Sequence, residues 1–218
     1  MKVTLINAPS MGAVEVCEEA AVMSTQSGKP MQALRAVIRS GHDSVLEHAS
    51  FTFKIEGVSR VLLAQLTRHR IASFTVLSQR YVNQEDQSCI VPATIRNNAE
   101  VYAVYEALIQ RIGRFYHAMI ESGIPKEDAR YILPEGTTTD LIMSMNAREL
   151  GHFFRLRCCN RAQQEIRDLA DAMLRILRRQ YPELFGQAGP ACLRGECHEA
   201  KPCGHPRKQE EWNAKDDE

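Results

Sequence analysis

Residues 68–80 read RHRIASFTVLSQR. Arg68, Arg70, Arg80 and the protonatable His69 stand here with two hydroxyls, Ser73 and Ser78. Arginine forks match phosphate oxygens in paired geometry, and serine hydroxyls serve the acceptors left over. The stretch follows an apolar run, VLLAQLT (61–67), that reads as a buried element ending just before it. Cations at the mouth of a packed element suit an anion with further hydrogen-bonding groups. A solvated, salt-bridged surface turn fits the same residues, because basic clusters are common.

Working outward, SRVLLAQLT (59–67) predicts a helix with Ser59 as N-cap. Before it, ASFTFKIEGV (49–58) places Phe51, Phe53 and Ile55 on one face, the period-two pattern of a half-buried strand. KVTLIN (2–7) reads as a short strand, and 14–24 and 30–40 as helices; Pro30 suits a first turn and Gly41 a stop. Residues 98–123 give the clearest helix: Val101, Val104, Tyr105, Leu108, Ile109, Ile112 and Phe115 recur at helical spacing, and Gly123 and Pro125 end it. That apolar face is expected in the core. TTTDLIMSM (137–145) predicts a strand. Asn146 with Glu149 then has the capping-box pattern of a helix start. A long helix from about Ala162 to Tyr181 carries an apolar stripe of Leu169, Met173, Ile176 and Leu177.

Composition limits the function classes. Lys plus Arg and Asp plus Glu number 27 each in 218 residues, so no bulk field draws the chain to nucleic acid or membrane. Any anion site must come from local placement of charge. The hydrophobic fraction of 44% and charged fraction of 25% are those of a soluble globular protein. No apolar run reaches bilayer-spanning length, and MKVTLINAPSMG lacks the features of a signal peptide. Seven cysteines, two of them adjacent, do not suggest a secreted disulfide framework, and the expected location is cytoplasmic. There is no Gly-x-Gly spacing for a dinucleotide-binding Rossmann unit and no H-E-x-x-H.

Other residues carry candidate chemistry. Asn146, Ala147 and Arg148 sit at the predicted strand-to-helix junction, where backbone N–H groups attract anions. Arg148, His152 and Arg155 then share a helix face. A capped helix with a solvated basic face fits the same residues. Arg130 has Glu127 and Asp128 as surface partners, and His48 precedes a strand, where a structural role is the usual one. Cys158 and Cys159, beside Phe153, Phe154 and Leu156, read as including at least one buried small hydrophobe. From Gly189 the composition shifts to Cys, His, Gly, Pro and charge, and KQEEWNAKDDE (208–218) is expected to be disordered. Cys192, Cys197, Cys203 and His205, with His198 to spare, are the right ligand types for structural zinc, but their spacing is irregular. A flexible, reduced tail without metal is the expectation.

Taken together, Arg68-His69-Arg70, seven residues, Ser78, one residue and Arg80 resemble the signature of the flavin-dependent thymidylate synthases, with Ser73 matching a serine common in the gap. GHDSVLEHASFTFKIEG (41–57), DARYILPEGTTT (128–139) and MNAREL with RLR (145–157) resemble further blocks of that family, in the same order. The resemblance spans residues 1–187 as one domain and leaves 188–218 as a Cys/His-rich, charged, partly disordered tail. It implies an α+β fold, a twisted β-sheet packed with long helices. It also implies a homotetramer whose active sites are shared between subunits. The implied reaction is reductive methylation of dUMP to dTMP, with 5,10-methylenetetrahydrofolate as one-carbon donor, NADPH as reductant and FAD as cofactor. The resemblance also implies that no enzyme cysteine acts as nucleophile.

Residue roles follow from the resemblance. Arg68, Arg80 and Arg130 would hold the dUMP phosphate or adjacent groups, with Ser78 from a neighbouring subunit. Gln65, Leu66, Thr67, Val76, Leu77 and Gln79 would lie along the nucleotide. Arg157 would stabilise negative charge on the uracil. Ser50, Arg68, His69, Arg70, Val76, Asn146, Ala147, Arg148 and His152 would line the FAD site, with His48 close by. Two positions depart from the family pattern. Val76 replaces a polar or acidic residue, so only its backbone can hydrogen-bond. His152 replaces an asparagine found in some relatives, adding a pH-dependent group.

Overall fold

The computed structural model describes residues 1–81, 88–195, 197 and 199–213. The strands are β1 (Lys2–Asn7), β2 (Ser50–Ser59), β3 (Ala72–Val76) and β4 (Thr138–Asn146), in one sheet ordered β1-β2-β4-β3. The helices are α1 (Ala13–Thr25), α2 (Pro30–Arg39), α3 (Arg60–Leu66), α4 (Ala93–Arg96), α5 (Ala99–Glu121), α6 (Lys126–Ala129), α7 (Ala147–Arg157), α8 (Gln164–Gln180) and α9 (Pro182–Phe185). Helix and strand are both present in one chain, as an α+β fold requires. The chain divides into two compact units, one comprising residues 1–2, 55–66 and 75–141 and the other residues 3–54, 67–74 and 142–218.

In the second unit the aromatic residues form the core. Phe51 and Phe53 of β2, Met143 and Met145 of β4, and Phe153 and Phe154 of α7 are fully or almost fully buried. The Phe51 ring meets Tyr181 edge-on at 5.1 Å and Phe185 at 5.5 Å. The stripe of α8 buries Leu169, Met173 and Leu177. On the opposite face of the strands, the hydroxyls of Thr52 and Ser144 lie 2.8 Å apart. The start of α7 is set by two bonds: Ala147 N–H donates to Ala49 O at 2.8 Å, and the Asn146 side chain accepts from Glu149 N–H at 2.9 Å. Asn146 is therefore the N-cap, as its sequence position predicts.

In the first unit Ser59 caps α3, its Oγ accepting from Leu62 N–H at 3.0 Å. The same helix start is held by Arg60 N–H to Thr137 O and Val61 N–H to Glu135 O, both at 3.1 Å. Helix α5 departs from expectation. Asn98 caps it by accepting from Val101 N–H, but Tyr116 is its one buried residue, while Val104 is 72% and Phe115 55% exposed. Periodicity identifies an apolar face without saying which molecule covers it: Tyr105, Ile109 and Ile112 are half-buried, while Val101, Val104, Leu108 and Phe115 stay exposed.

The tail also differs from expectation. Lys208–Asn213 are ordered in the second unit around a buried Trp212; residues 214–218, and His198, lie outside the described residues. The Trp212 indole donates to Asp171 Oδ1 at 2.9 Å, and Arg207 grips both Asp171 oxygens at 3.0 and 2.8 Å. The guanidinium carbons of Arg207 and Arg178 stand 4.4 and 5.1 Å from the Trp212 ring centroid. One aromatic, and an arginine that reaches Asp171 through Nη1 and Glu211 through Nε, order a segment whose composition alone reads as solvated. Trp212→Ala should lower the unfolding free energy by about 3–5 kcal/mol in urea titration, the usual cost of truncating a buried tryptophan. A loss within error would show that the tail is not packed.

Candidate active site

In the second unit, His69 is 4% exposed and held at both ring nitrogens. Arg157 Nε lies 3.2 Å from His69 Nε2, and Glu149 Oε1 lies 3.1 Å from Nδ1. A guanidinium can only donate, so Nε2 is the acceptor and Nδ1 carries the proton that goes to Glu149. The ring packs edge-on against Phe153 at 5.0 Å and His152 at 5.9 Å. Burial pushes the His69 pKa down; the Glu149 hydrogen bond works against this, and the Arg157 cation adds to the lowering. His69 is therefore neutral at pH 7. Burial and the nearby Arg68 cation also lower the Arg157 pKa, though a guanidinium stays charged.

Around this centre, Arg148 pairs with Glu47, and Arg155 Nη2 donates to His152 Nδ1 at 3.0 Å. Arg68, Arg70, His48 and Ser50 are exposed. Among the described residues, His69, Glu149 and His152 bring three possible metal-ligand atoms within 4.8 Å of one another. Guanidinium groups already bond to both histidines, which opposes a divalent cation. The cationic side chains Arg68, Arg70 and Arg148 instead suit an anionic ligand.

The first unit holds a separate set: Gln65, Leu66, Val76, Leu77, Ser78, Gln79, Arg80 and Arg130. Arg80 Nε and Nη2 reach Glu127 Oε2 at 3.2 and 3.1 Å, with both side chains half-exposed. Such a pair contributes about 0–1 kcal/mol, so an incoming anion displaces it at little cost. Arg130 binds the Glu127 carbonyl at 3.0 Å, not the carboxylate of Glu127 or Asp128 that its sequence position suggests. Ser78 Oγ accepts from Arg80 N–H at 3.2 Å. Gln79 is buried, and its Nε2 has no hydrogen-bond partner among the described residues. A buried amide donor without a partner is costly unless a ligand accepts from it.

Sequence reasoning misses two residues. Arg60 donates to Leu77 O at 3.1 Å, and its pKa is lowered by burial and then by the Arg130 cation. Its place directly after the Ser59 cap is the available signal. Glu149 reads in the sequence only as part of a cap, whereas its carboxylate orients His69. Cys158 is fully buried, and its thiol pKa is pushed far up, first by burial and then by Asp171.

A sequence model of the Thymidylate synthase complementing protein family matches residues 4–183. A protein of Geobacter sulfurreducens named flavin-dependent thymidylate synthase is 49% identical over 168 residues, covering 76% of this chain and 72% of the relative. Proteins of the same name from Nitratidesulfovibrio vulgaris and Pyrococcus abyssi are 44% and 41% identical, over 81% and 82% of this chain and 77% and 78% of their own length. The chain belongs to the flavin-dependent thymidylate synthase family. It is an enzyme of that family, and the Arg68–Arg80 motif lies within the matched segment.

The neutral state of His69 has a pH signature. An unfolded histidine takes up a proton near pH 6.5, whereas the native ring resists it. The unfolded state then binds more protons below that pH, so stability is kept above it and falls on acidification. Urea unfolding between about pH 5 and pH 8 should show this loss, and His69→Gln should reduce its slope. Parallel profiles for the two proteins would contradict the assignment.

Proposed function

We propose that this chain converts dUMP to dTMP, taking the one-carbon unit from 5,10-methylenetetrahydrofolate and reducing equivalents from NADPH through bound FAD. The observation that carries the reading is the Glu149–His69–Arg157 chain, within a sequence 49% identical to a protein named for this activity. The proposal includes the family fold, a catalytic segment of residues 1–187 and a cytoplasmic location. No helix among the described residues is long and apolar enough to cross a membrane.

FAD, when bound, would supply the redox chemistry and relay the one-carbon unit. Arg68, His69, Arg70, Asn146, Ala147, Arg148, His152, Ser50 and Val76 would hold it, with His48 nearby. The protein's part is binding and electrostatics. Arg80, Arg130 and Arg68 would hold the dUMP phosphate or adjacent groups, with Ser78 from a neighbouring subunit, and remote binding of that kind helps place the reacting carbon. Gln65, Leu66, Thr67, Val76, Leu77 and Gln79 would line the nucleotide, the Gln79 amide finding the acceptor it lacks. Arg157 would favour the uracil deprotonated at N3, the more nucleophilic form, because a fixed cation stabilises that negative charge. His69 serves it by holding the guanidinium through Nε. A cysteine nucleophile is disfavoured at Cys158, which is buried and difficult to ionise. The exposed apolar face of α5 supports a homotetramer, since a second copy would cover Val104, Leu108 and Phe115.

Tritium release from C5-labelled dUMP, with methylenetetrahydrofolate, NADPH and FAD, tests the reaction directly. Arg157→Ala should lower turnover about 100- to 1,000-fold with flavin largely retained. Equal loss of flavin and turnover would remove Arg157 from its role. Arg80→Ala should raise the dUMP dissociation constant roughly 10- to 100-fold, the worth of a charge-assisted contact. Unchanged dUMP affinity would refute that assignment, and no tritium release from flavin-loaded wild type would refute the proposed reaction.

A further inference from the structure

In the second unit the tail folds back onto the turn that follows α7. Asn160 Nδ2 donates to His205 O at 2.7 Å, and Arg207 donates to Cys158 O at 3.1 Å. The fold thereby forms a partly open cavity of about 490 Å³ whose wall includes Cys159, Cys192, Cys197 and Cys203. All four are free thiols. We propose that these four cysteines form a structural zinc site that ties the tail to the end of α7.

Three features of the cavity support a metal site. The first is a repeated local geometry: Arg161 N–H reaches Cys159 Sγ at 3.5 Å, and His205 N–H reaches Cys203 Sγ at 3.4 Å. In each case the N–H two residues on is directed at the sulfur, and at Cys203 the thiol also donates to His205 O at 3.3 Å, so the backbone holds both sulfurs in place. At Cys203 it depends on the intervening Gly204, whose φ of +74° side chains rarely adopt. The second feature is charge. Among the described residues, Arg155, Arg161 and Arg207 line the cavity against one carboxylate, Glu199. Guanidinium groups in the wall would offset the net negative charge of a tetrathiolate centre. Arg207 is also paired with Asp171 and Glu211, and Arg155 with His152.

The third feature is anchoring. The clamp of Trp212, Arg207 and Asp171 fixes the chain beyond Cys203, and α7 fixes the chain before Cys159. Both ends of the ligand set are thus positioned. The sulfurs have still to close in, because no three of them lie within 4.8 Å of one another among the described residues. Zinc would draw them to about 2.3 Å from the metal, forming four Zn–S bonds and releasing the thiol protons to solvent. Soft thiolate sets select zinc among the divalent metals available to proteins. Cys159 lies two positions after Arg157, so the site would stiffen the helix end that carries that guanidinium. The inference goes beyond the proposed reaction and does not depend on it.

Metal analysis of the full-length, tag-free protein, purified under reducing conditions without chelator, tests the proposal. About one zinc per chain is expected. Cys192→Ser and Cys203→Ser should each lower it at least about tenfold, while Cys89→Ser, in the other unit, should leave it unchanged. Cobalt added to the metal-free protein should give the visible bands of tetrahedral thiolate ligation, which decides the matter if a serine variant fails to fold. The proposal is overturned by absence of zinc together with no cobalt spectrum. It is equally overturned by iron with acid-labile sulfide, by a disulfide among the four cysteines in the reduced protein, or by zinc retained in both serine variants.

Discussion

A histidine that accepts from a guanidinium must leave that nitrogen unprotonated, and His69 is in this position. Its other nitrogen is then bound to keep its proton, which Glu149 receives. Each member fixes the next: the Asn146 cap sets the first turn of α7, the turn aims Glu149, Glu149 fixes the ring, and the ring fixes Arg157. Burial reinforces the arrangement, because a second proton on His69 would place an imidazolium beside Arg157 in a poorly solvated site. The strands matter to function chiefly because β4 delivers Asn146 and the bond from Ala147 to Ala49 fixes where α7 begins.

Much of this arrangement is legible in the amino-acid sequence. Phe51, Phe53 and Ile55 alternate along the chain and are buried in β2. Ser59 and Asn146 announce helix starts because their side-chain oxygens have few other uses before an apolar run. The cationic motif is visible as charge and hydroxyl density. What it leaves open is division of labour: His69 is buried and neutral, whereas Arg68, Arg70 and Arg80 are exposed. Spacing records which residues are near in the chain, not which nitrogen accepts a hydrogen bond. Glu149 is hidden by its second role, since a glutamate three residues after a cap already has a local explanation.

The two departures from expectation have different physical origins. The apolar stripe of α5 is real, but periodicity does not distinguish a core from a surface that another copy covers. The tail departs in the opposite direction. Low hydrophobicity and high charge ordinarily signal disorder, yet Trp212 and the Arg207–Asp171 pair concentrate enough interaction to order Lys208–Asn213. A few strong contacts can order a short segment that average composition classes as solvated.

The state of the His69 ring is the most direct test of this account. In nitrogen NMR of histidine-labelled protein at neutral pH, with His69→Gln used to identify the signal, His69 should show a protonated Nδ1 and an unprotonated Nε2. A ring protonated at both nitrogens, or carrying its proton on Nε2, would contradict the hydrogen bond from Arg157 and the orientation of the site built on it.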